Sequence, residues 1–303
     1  MRLDNFDLNL LVALHALLEE CNVTRAAERL HLSQPAMSAA LRRLRLAFND
    51  DILVAHGKTM VPTSHAQSLA PIVAQALVSM QSLVSSSTVF DPKTSQRRFR
   101  IATSDYISTV LIAPMLASLQ TAAPSVRLEI AAVAADSLSM LERGMIDFML
   151  TPEQFLSPSH PKQLLFEERH VVVGWRDNPV FSKPLTENAY YSCGHVAVEI
   201  AGRPSFAEER LKAGGDRRRI ELVASSFTMV PWTLPGTGRL AIMHERLAQV
   251  MLPILPLAVA PLPFAMAPMR EMIQFHNART SDGGLQWMLH RIKQQAGAKS
   301  DQK

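Results

Sequence analysis

Polar and turn-forming residues gather at the start of one apolar-periodic segment, in the stretch HLSQPAMSAALRRLR. They are Ser33, Gln34, Pro35 and Ser38. A glutamine amide can form two hydrogen bonds to an adenine edge, and a serine hydroxyl can contact a base or a phosphate. These residue types at the start of a helix point to nucleic-acid recognition, provided that a second helix precedes it across a short turn.

The elements that must position this helix follow from the same part of the sequence. Residues 7–20 place leucines at helical spacing. A second helix is predicted to begin near Thr24, whose hydroxyl can cap it. A third begins after Ser33, with Pro35 in the first turn, where its missing N–H does no harm. The stretch ILVAHGKTMVPT then predicts two short strands, or a wing. We predict an all-α winged helix-turn-helix, and an ordinary helical hairpin with a basic end is the alternative.

Cationic and hydroxyl side chains in this region could contact the phosphates of a nucleic acid. They are Thr24, Arg42, Arg43, Arg45, Lys58 and Thr63. However, residues 1–62 contain seven basic and seven acidic residues. Pairing with acids therefore remains an alternative for the three arginines.

A long apolar stripe follows, in residues 64–87. Leu69, Val73, Leu77, Met80 and Val84 recur every three or four residues. No partner for this stripe is evident in the preceding pattern, which favours a helix that pairs with a second copy. Packing on its own chain is the alternative.

The pattern changes at Arg98, where strand-like and helix-like segments begin to alternate. Such alternation is typical of a parallel sheet with crossover helices. The stretch QLLFEERHVVVGWR is predicted to supply one further strand. The run of arginines at 217–219 is predicted to be a solvated or oligomer-facing cluster rather than a nucleic-acid patch.

Composition and missing motifs exclude other classes. Hydrophobic residues make up 48% of the 303 residues and charged residues 19%, which suits a globular chain. Two distant cysteines and scattered histidines predict no disulfide, metal or cofactor. No GxSxG, Walker or HExxH motif is present, so we do not expect an enzyme. The acidic first 20 residues do not match a signal peptide, and no apolar run is long enough to span a membrane, so we expect a cytoplasmic protein.

The stretch LNLLVALHALLEECNVTRAAERLHLSQPAMSAALRRLRLAFNDDILV resembles the N-terminal domain of LysR-type transcriptional regulators. The order of the later segments extends this resemblance over nearly the whole chain. Segments such as RRFRIATSDY and RRIELV look closest to the NodD-like subgroup, which includes regulators of aromatic-compound degradation. The resemblance implies a winged helix-turn-helix in 1–63, a dimerisation helix and hinge in 64–90, and a periplasmic-binding-protein-like α/β effector domain in 91–303. Its lobe I would comprise about 91–166 and 268–303, and lobe II about 167–267.

The resemblance also implies a small-molecule effector between the lobes. In the first lobe, the candidate contacts are Ser104, Asp105, Tyr106 and Thr109, which follow a strand and begin a helix, where ligands and anions are favoured. For Ser104 and Thr109, simple helix capping is the alternative. Asp105 would disfavour a carboxylate ligand unless it pairs with a base.

In the second lobe, the candidate contacts are His170, His195, Phe227, Pro231, Trp232 and Thr237. Each histidine could hydrogen-bond a phenol, a carboxylate or a carbonyl, although packing in the core is the alternative. The apolar residues suit a small aromatic ligand, either an aromatic acid or a phenol.

The expected partners are promoter DNA, this effector and a second copy of the chain in a homodimer or homotetramer, with RNA polymerase as a further candidate. The alternative is a soluble binding protein or an enzyme whose N-terminal domain makes protein contacts.

Overall fold

The computed structural model describes residues 6–57, 59–86 and 89–298. The chain divides into two compact units: residues 1–88 with 142–144, and residues 89–141 with 145–303. Within the described residues, no helix combines the length and the apolar character needed to cross a bilayer.

The first unit consists of three helices and a hairpin, followed by a long helix. The short helices are α1 (Asn9–Glu20), α2 (Val23–Arg29) and α3 (Gln34–Phe48). The strands β1 (Leu53–His56) and β2 (Thr59–Pro62) pair antiparallel and form the wing. Leucines of α1, alanines of α2 and Met37, Leu41 and Leu44 of α3 share one apolar core. The predicted winged helix-turn-helix is therefore confirmed.

Local capping explains where α2 and α3 begin. The Ser33 hydroxyl accepts the N–H of Ala36, and proline lies in the first turn of α3, as predicted. The predicted Thr24 cap of α2 is wrong, because the Asn22 side chain accepts the N–H groups of Thr24 and Arg25. Asn22 has the extended backbone of a cap residue, whereas Thr24 already lies inside the helix.

Replacing Asn22 with alanine should destabilise α2 by about 1 kcal/mol, because two N–H groups lose their acceptor. Hydrogen exchange of the 23–30 amides, compared between wild type and variant, measures this loss directly. Thr24→Ala is the matched control and should leave exchange nearly unchanged. Equal acceleration in both variants would contradict the assignment of the cap to Asn22.

The long helix α4 (Ser64–Ser86) occupies the predicted apolar stripe. Ala66 and Val73 belong to the core of the first unit, and Leu69 and Leu77 pack against it. The prediction that this stripe has no partner in its own domain is wrong for these positions. Ile72, on α4, is 63% exposed.

The second unit contains two sheets. Its strands are β3 (Arg98–Thr103), β4 (Arg127–Ala132), β5 (Phe148–Pro152), β6 (Lys162–Glu168), β7 (His170–Trp175), β8 (Gly194–Ile200), β9 (Arg203–Pro204), β10 (Arg219–Ala224), β11 (Leu240–His244), β12 (Leu257–Pro261) and β13 (Met269–Gln274). The first sheet has the order β4-β3-β5-β13-β6, and the second has the order β10-β8-β11-β7-β12 with β9 beside β8. We call them lobe I and lobe II, which confirms a two-lobed α/β domain.

Helices cover both sheets. They are α5 (Asp105–Ile107), a π-helical segment (Ser108–Ile112), α6 (Ala113–Ala122), α7 (Ser137–Glu142), α8 (Glu187–Ser192), α9 (Phe206–Ala213), α10 (Glu245–Met251) and α11 (Gly283–Ala298), with 3₁₀ turns at Glu153–Phe155, Pro179–Ser182, Val230–Thr233 and Asn277–Arg279. In lobe I, Phe99, Ile101 and Phe148 share a core with Leu285 and Ile292 of α11.

Each sheet is mixed rather than parallel, which corrects the prediction. In lobe I, β4, β3 and β5 run parallel, and β13 and β6 run antiparallel to their neighbours. The predicted single strand in QLLFEERHVVVGWR is two strands, β6 and β7, which belong to different sheets. The chain crosses between the lobes at Arg169 and returns between β12 and β13, so both lobes are built from discontinuous sequence.

The arginine run at 217–219 is divided by burial. The Arg218 side chain is fully buried and pairs with Glu208 and Asp216, whereas Arg217 and Arg219 are exposed. The prediction of a solvated cluster is therefore wrong for Arg218, because two acids from the same lobe enclose its guanidinium.

Candidate functional site

The N-terminal part of α3 presents an exposed polar face. Ser33, Gln34 and Pro35 are exposed, and Ser38 is partly exposed one turn later. The Gln34 amide donates a hydrogen bond to the Ser38 hydroxyl at 3.1 Å. This pair lies where a recognition helix meets base edges, and it keeps a carbonyl and a hydroxyl together on one face.

The arginines of α3 have different environments. Arg43 pairs with Asp7 at 3.0 Å, and Arg45 donates to the backbone carbonyls of Asp51 and Leu53 at 2.8 and 2.9 Å. Arg45 therefore fastens α3 to the start of the wing. Arg42 is exposed and pairs with no other described residue. Of the three arginines of α3, Arg42 is therefore the one whose side chain is not already bonded to another described residue.

The other predicted contacts of the first unit lie around α3. Thr24 is exposed in the first turn of α2. The Thr63 hydroxyl donates to Asp50 at 2.6 Å and accepts the N–H of Ala66, so it also caps α4. This hydrogen bond from Thr63 is the main cause that lowers the pKa of Asp50. Lys58 lies outside the described residues.

The second unit contains a cavity of about 130 Å³ between its lobes. A cavity of similar size in another protein accepts benzene. Its walls are largely apolar and include Val133, Leu138, Met149, Leu150, Phe155, Ile200, Phe206, Phe227 and Met269. The polar lining includes Ser104, Tyr106, Thr151, Arg203, His244 and Glu271.

Tyr106 joins the two lobes beside the cavity. Its hydroxyl donates to Glu168 at 2.6 Å, and its ring stacks on His244 with centroids 3.8 Å apart. Glu168 also accepts the Arg246 side chain at 3.1 Å. Burial raises the pKa of Glu168, although the bonds from Tyr106 and Arg246 oppose this shift. Burial also raises the pKa of Tyr106 well above its ordinary value.

Asp105 forms a second link between the lobes. Its carboxylate accepts hydrogen bonds from the Ser226 hydroxyl at 2.6 Å, from the N–H and hydroxyl of Thr228 at 2.8 and 2.7 Å, and from the Phe227 N–H at 3.3 Å. Burial raises its pKa, but these bonds outweigh burial and the net shift is downward. The ionised carboxylate thus holds the loop that carries Phe227.

Three buried titratable groups, His170, His244 and Glu271, lie at or beside the cavity and form no ion pair with another described residue. Burial lowers the pKa of His170 to about 4 and holds that of His244 well below its ordinary value. Burial, and then the Glu168 carboxyl, raise the pKa of Glu271 well above its ordinary value. At neutral pH these shifts favour uncharged His170, His244 and Glu271.

The predicted effector contacts separate into three groups. Ser104, Tyr106 and Phe227 line the cavity, and the Ser104 hydroxyl also caps α5. Asp105 and His170 lie directly behind the lining, and the ring centroid of His170 is 4.9 Å from that of His244.

The remaining five predicted contacts do not line this cavity. The Thr109 hydroxyl donates to the Asp105 carbonyl, and the Thr237 hydroxyl donates to the Leu234 carbonyl. His195 is buried in lobe II and contacts the Tyr190 carbonyl at 2.9 Å. Pro231 is buried in a 3₁₀ turn, and Trp232 is 61% exposed.

Sequence reasoning missed Arg203, His244 and Glu271. His244 ends β11, so the same rule that selected Ser104 at a strand end could have found it. Glu271 lies in the middle of β13, and a buried acid in a strand that lines a cavity is a signal for function. Among the described residues, no group of three or more His, Cys, Asp or Glu side chains could hold a metal ion.

A winged helix-turn-helix unit and a two-lobed α/β unit with an internal cavity define a DNA-binding regulator that carries an effector-binding domain. Comparison with known families agrees with this class. Residues 8–67 match the bacterial regulatory helix-turn-helix protein, lysR family, and residues 92–297 match the LysR substrate binding domain.

Individual relatives point to the same family. The chain is 42% identical to Nodulation protein D 2 of Rhizobium tropici, covering 98% of this chain and 95% of that protein. It is 41% identical to Nodulation protein D 1 of Bradyrhizobium sp. (strain NC92), again covering 98% and 95%. Full-length OxyR from Pseudomonas aeruginosa, a cysteine variant, shares the fold with a TM-score of 0.72 at 18% identity, covering 96% of this chain and 95% of that chain.

This chain belongs to the LysR family of transcriptional regulators. The predicted family is thereby confirmed, and so is a function in ligand-responsive transcription rather than in catalysis.

Proposed function

We propose that the N-terminal turns of α3 read the operator sequence. Ser33, Gln34, Pro35 and Ser38 are the base-reading positions, and the exposed Gln34–Ser38 pair is the observation that carries this proposal. Arg42, Thr24 and Lys58 contact phosphates. Arg43, Arg45 and Thr63 are lesser contacts, because their side chains already bind Asp7, two carbonyls and Asp50.

Gln34→Ala should weaken binding to the preferred operator about 5- to 150-fold, because a good bidentate base contact contributes about 1–3 kcal/mol. The probe is a DNA duplex selected from a random pool by the wild-type full chain. Affinity is measured by gel shift against this duplex and against a scrambled one. Arg42→Ala should instead weaken both duplexes and reduce the salt slope by about one.

The control is Gln120→Ala, the same change on an exposed position of α6. It should bind both duplexes like the wild type. Unchanged operator preference in Gln34→Ala would contradict the proposed recognition helix. Failure of the wild type to select any sequence would contradict specific DNA recognition itself.

The effector proposed for the cavity is a small aromatic compound, an aromatic acid or a phenol. Support comes from the apolar walls and from Ser104, Tyr106 and Phe227 in the lining. Because Tyr106 and Asp105 bond residues of both lobes, a ligand between the lobes can shift the population of closed and open forms. This shift would change how the recognition helices engage and bend promoter DNA.

The proposed assembly is a homodimer or homotetramer in which α4 contributes to pairing, acting on promoters together with RNA polymerase in the cytoplasm. The exposed Ile72 on α4 supports a contact between helices. The match of both units to LysR-family domains supports the proposed action on promoters.

A further inference from the structure

The lining of the effector cavity contains two buried polar groups that lack hydrogen-bond partners among the described residues. Glu271 is 1% exposed and its Oε1 has no partner; His244 is 4% exposed and its Nδ1 has none. Both residues belong to the cavity lining. A buried polar atom without a partner is costly, so a ligand that reaches either atom from the cavity would gain by supplying the missing partner.

The two groups come from different lobes. Glu271 lies on β13, between Pro152 of β5 and Phe166 of β6. His244 ends β11, under the ring of Tyr106. A ligand that bonds both groups therefore contacts both lobes at once. Such a contact depends on how the lobes are closed, which is what an effector must sense.

The charges around this wall select against an ionic ligand. Of the described residues that line the cavity, only Arg203 is cationic, and it lies exposed on the short strand β9. Glu168 lies close enough to Glu271 to raise its pKa further, so a carboxylate here would face two carboxyl groups. An ammonium would lose its hydration beside the uncharged His244 imidazole and beside the Glu271 carboxyl, whose burial disfavours its ionised form.

We propose that Glu271 and His244 recognise an uncharged hydroxyl or carbonyl oxygen of the effector, and that this wall rejects a carboxylate. The inference rests on the proposed effector function. A phenol hydroxyl suits either group, since it can both accept and donate a hydrogen bond. The apolar lining holds the ring. Of the two effector classes, phenols are thus selected over aromatic acids.

Four probes that share a methyl-substituted benzene ring test this proposal on the full chain: p-cresol, toluene, p-toluate and p-methylbenzylamine. Binding is followed by calorimetry and by the ligand-dependent melting temperature. In the wild type, p-cresol should bind about five- to tenfold more tightly than toluene, as one or two hydrogen bonds contribute. The anion and the amine should bind more weakly than p-cresol.

Variants identify the residues responsible. Methionine has a volume similar to that of glutamate but cannot form its hydrogen bonds, so Glu271→Met should bind p-cresol no better than toluene. Glu271→Gln should keep much of the preference for p-cresol. Glu167→Met, the same change at an exposed position of β6, is the control and should resemble the wild type. His244→Phe is a second variant, which keeps the stacking on Tyr106 and should also reduce the preference.

The outcomes distinguish failure of recognition by Glu271 and His244 from failure of the proposed aromatic cavity. A preference for p-cresol that survives in both Glu271→Met and His244→Phe overturns this inference, as does tighter binding of p-toluate or the amine in the wild type. If no probe binds, toluene included, the proposed aromatic cavity itself fails.

Discussion

Replacing Arg218 with methionine should lower the free energy of unfolding of the second unit by about 3–5 kcal/mol. The Arg218 side chain is fully buried, donates to both oxygens of Glu208, and contacts Asp216 at 2.8 Å. Methionine leaves these two acids in lobe II without their cation. Burial raises the pKa of Asp216, and the hydrogen bonds from Arg218 reverse that shift, so their loss removes a stabilising interaction.

Urea denaturation followed by tryptophan fluorescence measures this effect in the correct unit. The three tryptophans of the chain are Trp175, Trp232 and Trp287, and all belong to the second unit. The adjacent Arg217→Met is the matched control. Its side chain is 70% exposed and pairs with the exposed Glu187, so a change of less than about 1 kcal/mol is expected. Equal effects of the two variants would show that burial of Arg218 contributes little.

Acidification should destabilise the second unit through His170 and His195. Burial lowers the pKa of each to about 4, whereas a histidine in the unfolded chain titrates near 6.5. Above about pH 6.5 neither state binds the proton, so these groups contribute no pH dependence. As the pH falls from about 6.5 to 4, only the unfolded chain binds it. Each histidine then costs roughly 3 kcal/mol of stability by pH 4.

The contribution of the histidines is measured by the difference in the pH dependence of unfolding free energy between the wild type and the variants. The wild-type curve alone does not isolate it, because Glu271 changes stability with pH in the opposite direction. Its raised pKa means that the unfolded chain releases a proton which the folded chain keeps, so its contribution falls as the pH rises. Urea denaturation at several pH values between 4.5 and 8 should show a shallower acid limb in His170→Leu. His195→Gln should behave in the same way, and the double variant should lose both contributions. An unchanged slope in the double variant would contradict the neutral, buried state of these histidines.

The sequence predicted elements whose signals are local. Ser33 and Pro35 mark the beginning of α3, and Leu10, Leu14 and Leu17 lie on the buried face of α1. Sequence could predict both features because capping and helical periodicity act over a few residues. The Thr24 cap failed for the same reason, since Asn22 is an equally good cap two residues earlier. Local signals find a helix more securely than they find its first residue.

The composition of the effector cavity depended on contacts that no short stretch of sequence contains. Ser104, Tyr106 and Phe227 were predicted from strand ends and apolar loops. Glu271 and His244 escaped because nothing in the stretches MREMIQ and LAIMH shows that either residue lies in the wall of the cavity.

The sequence by itself determined the family, the winged helix-turn-helix and the alternation of strands and helices in the second unit, because these properties are encoded in caps, periodicity and motif spacing. Only the tertiary structure decided which side chains share the cavity and which arginine is buried. The chain crosses between the two sheets at Arg169 and again before β13. Strands that are distant in sequence therefore meet across the cleft, so that Glu271 of lobe I and His244 of lobe II line the same cavity. The burial of Arg218 between Glu208 and Asp216 also depends on packing, because the exposed Arg217 and Arg219 beside it have the same residue type.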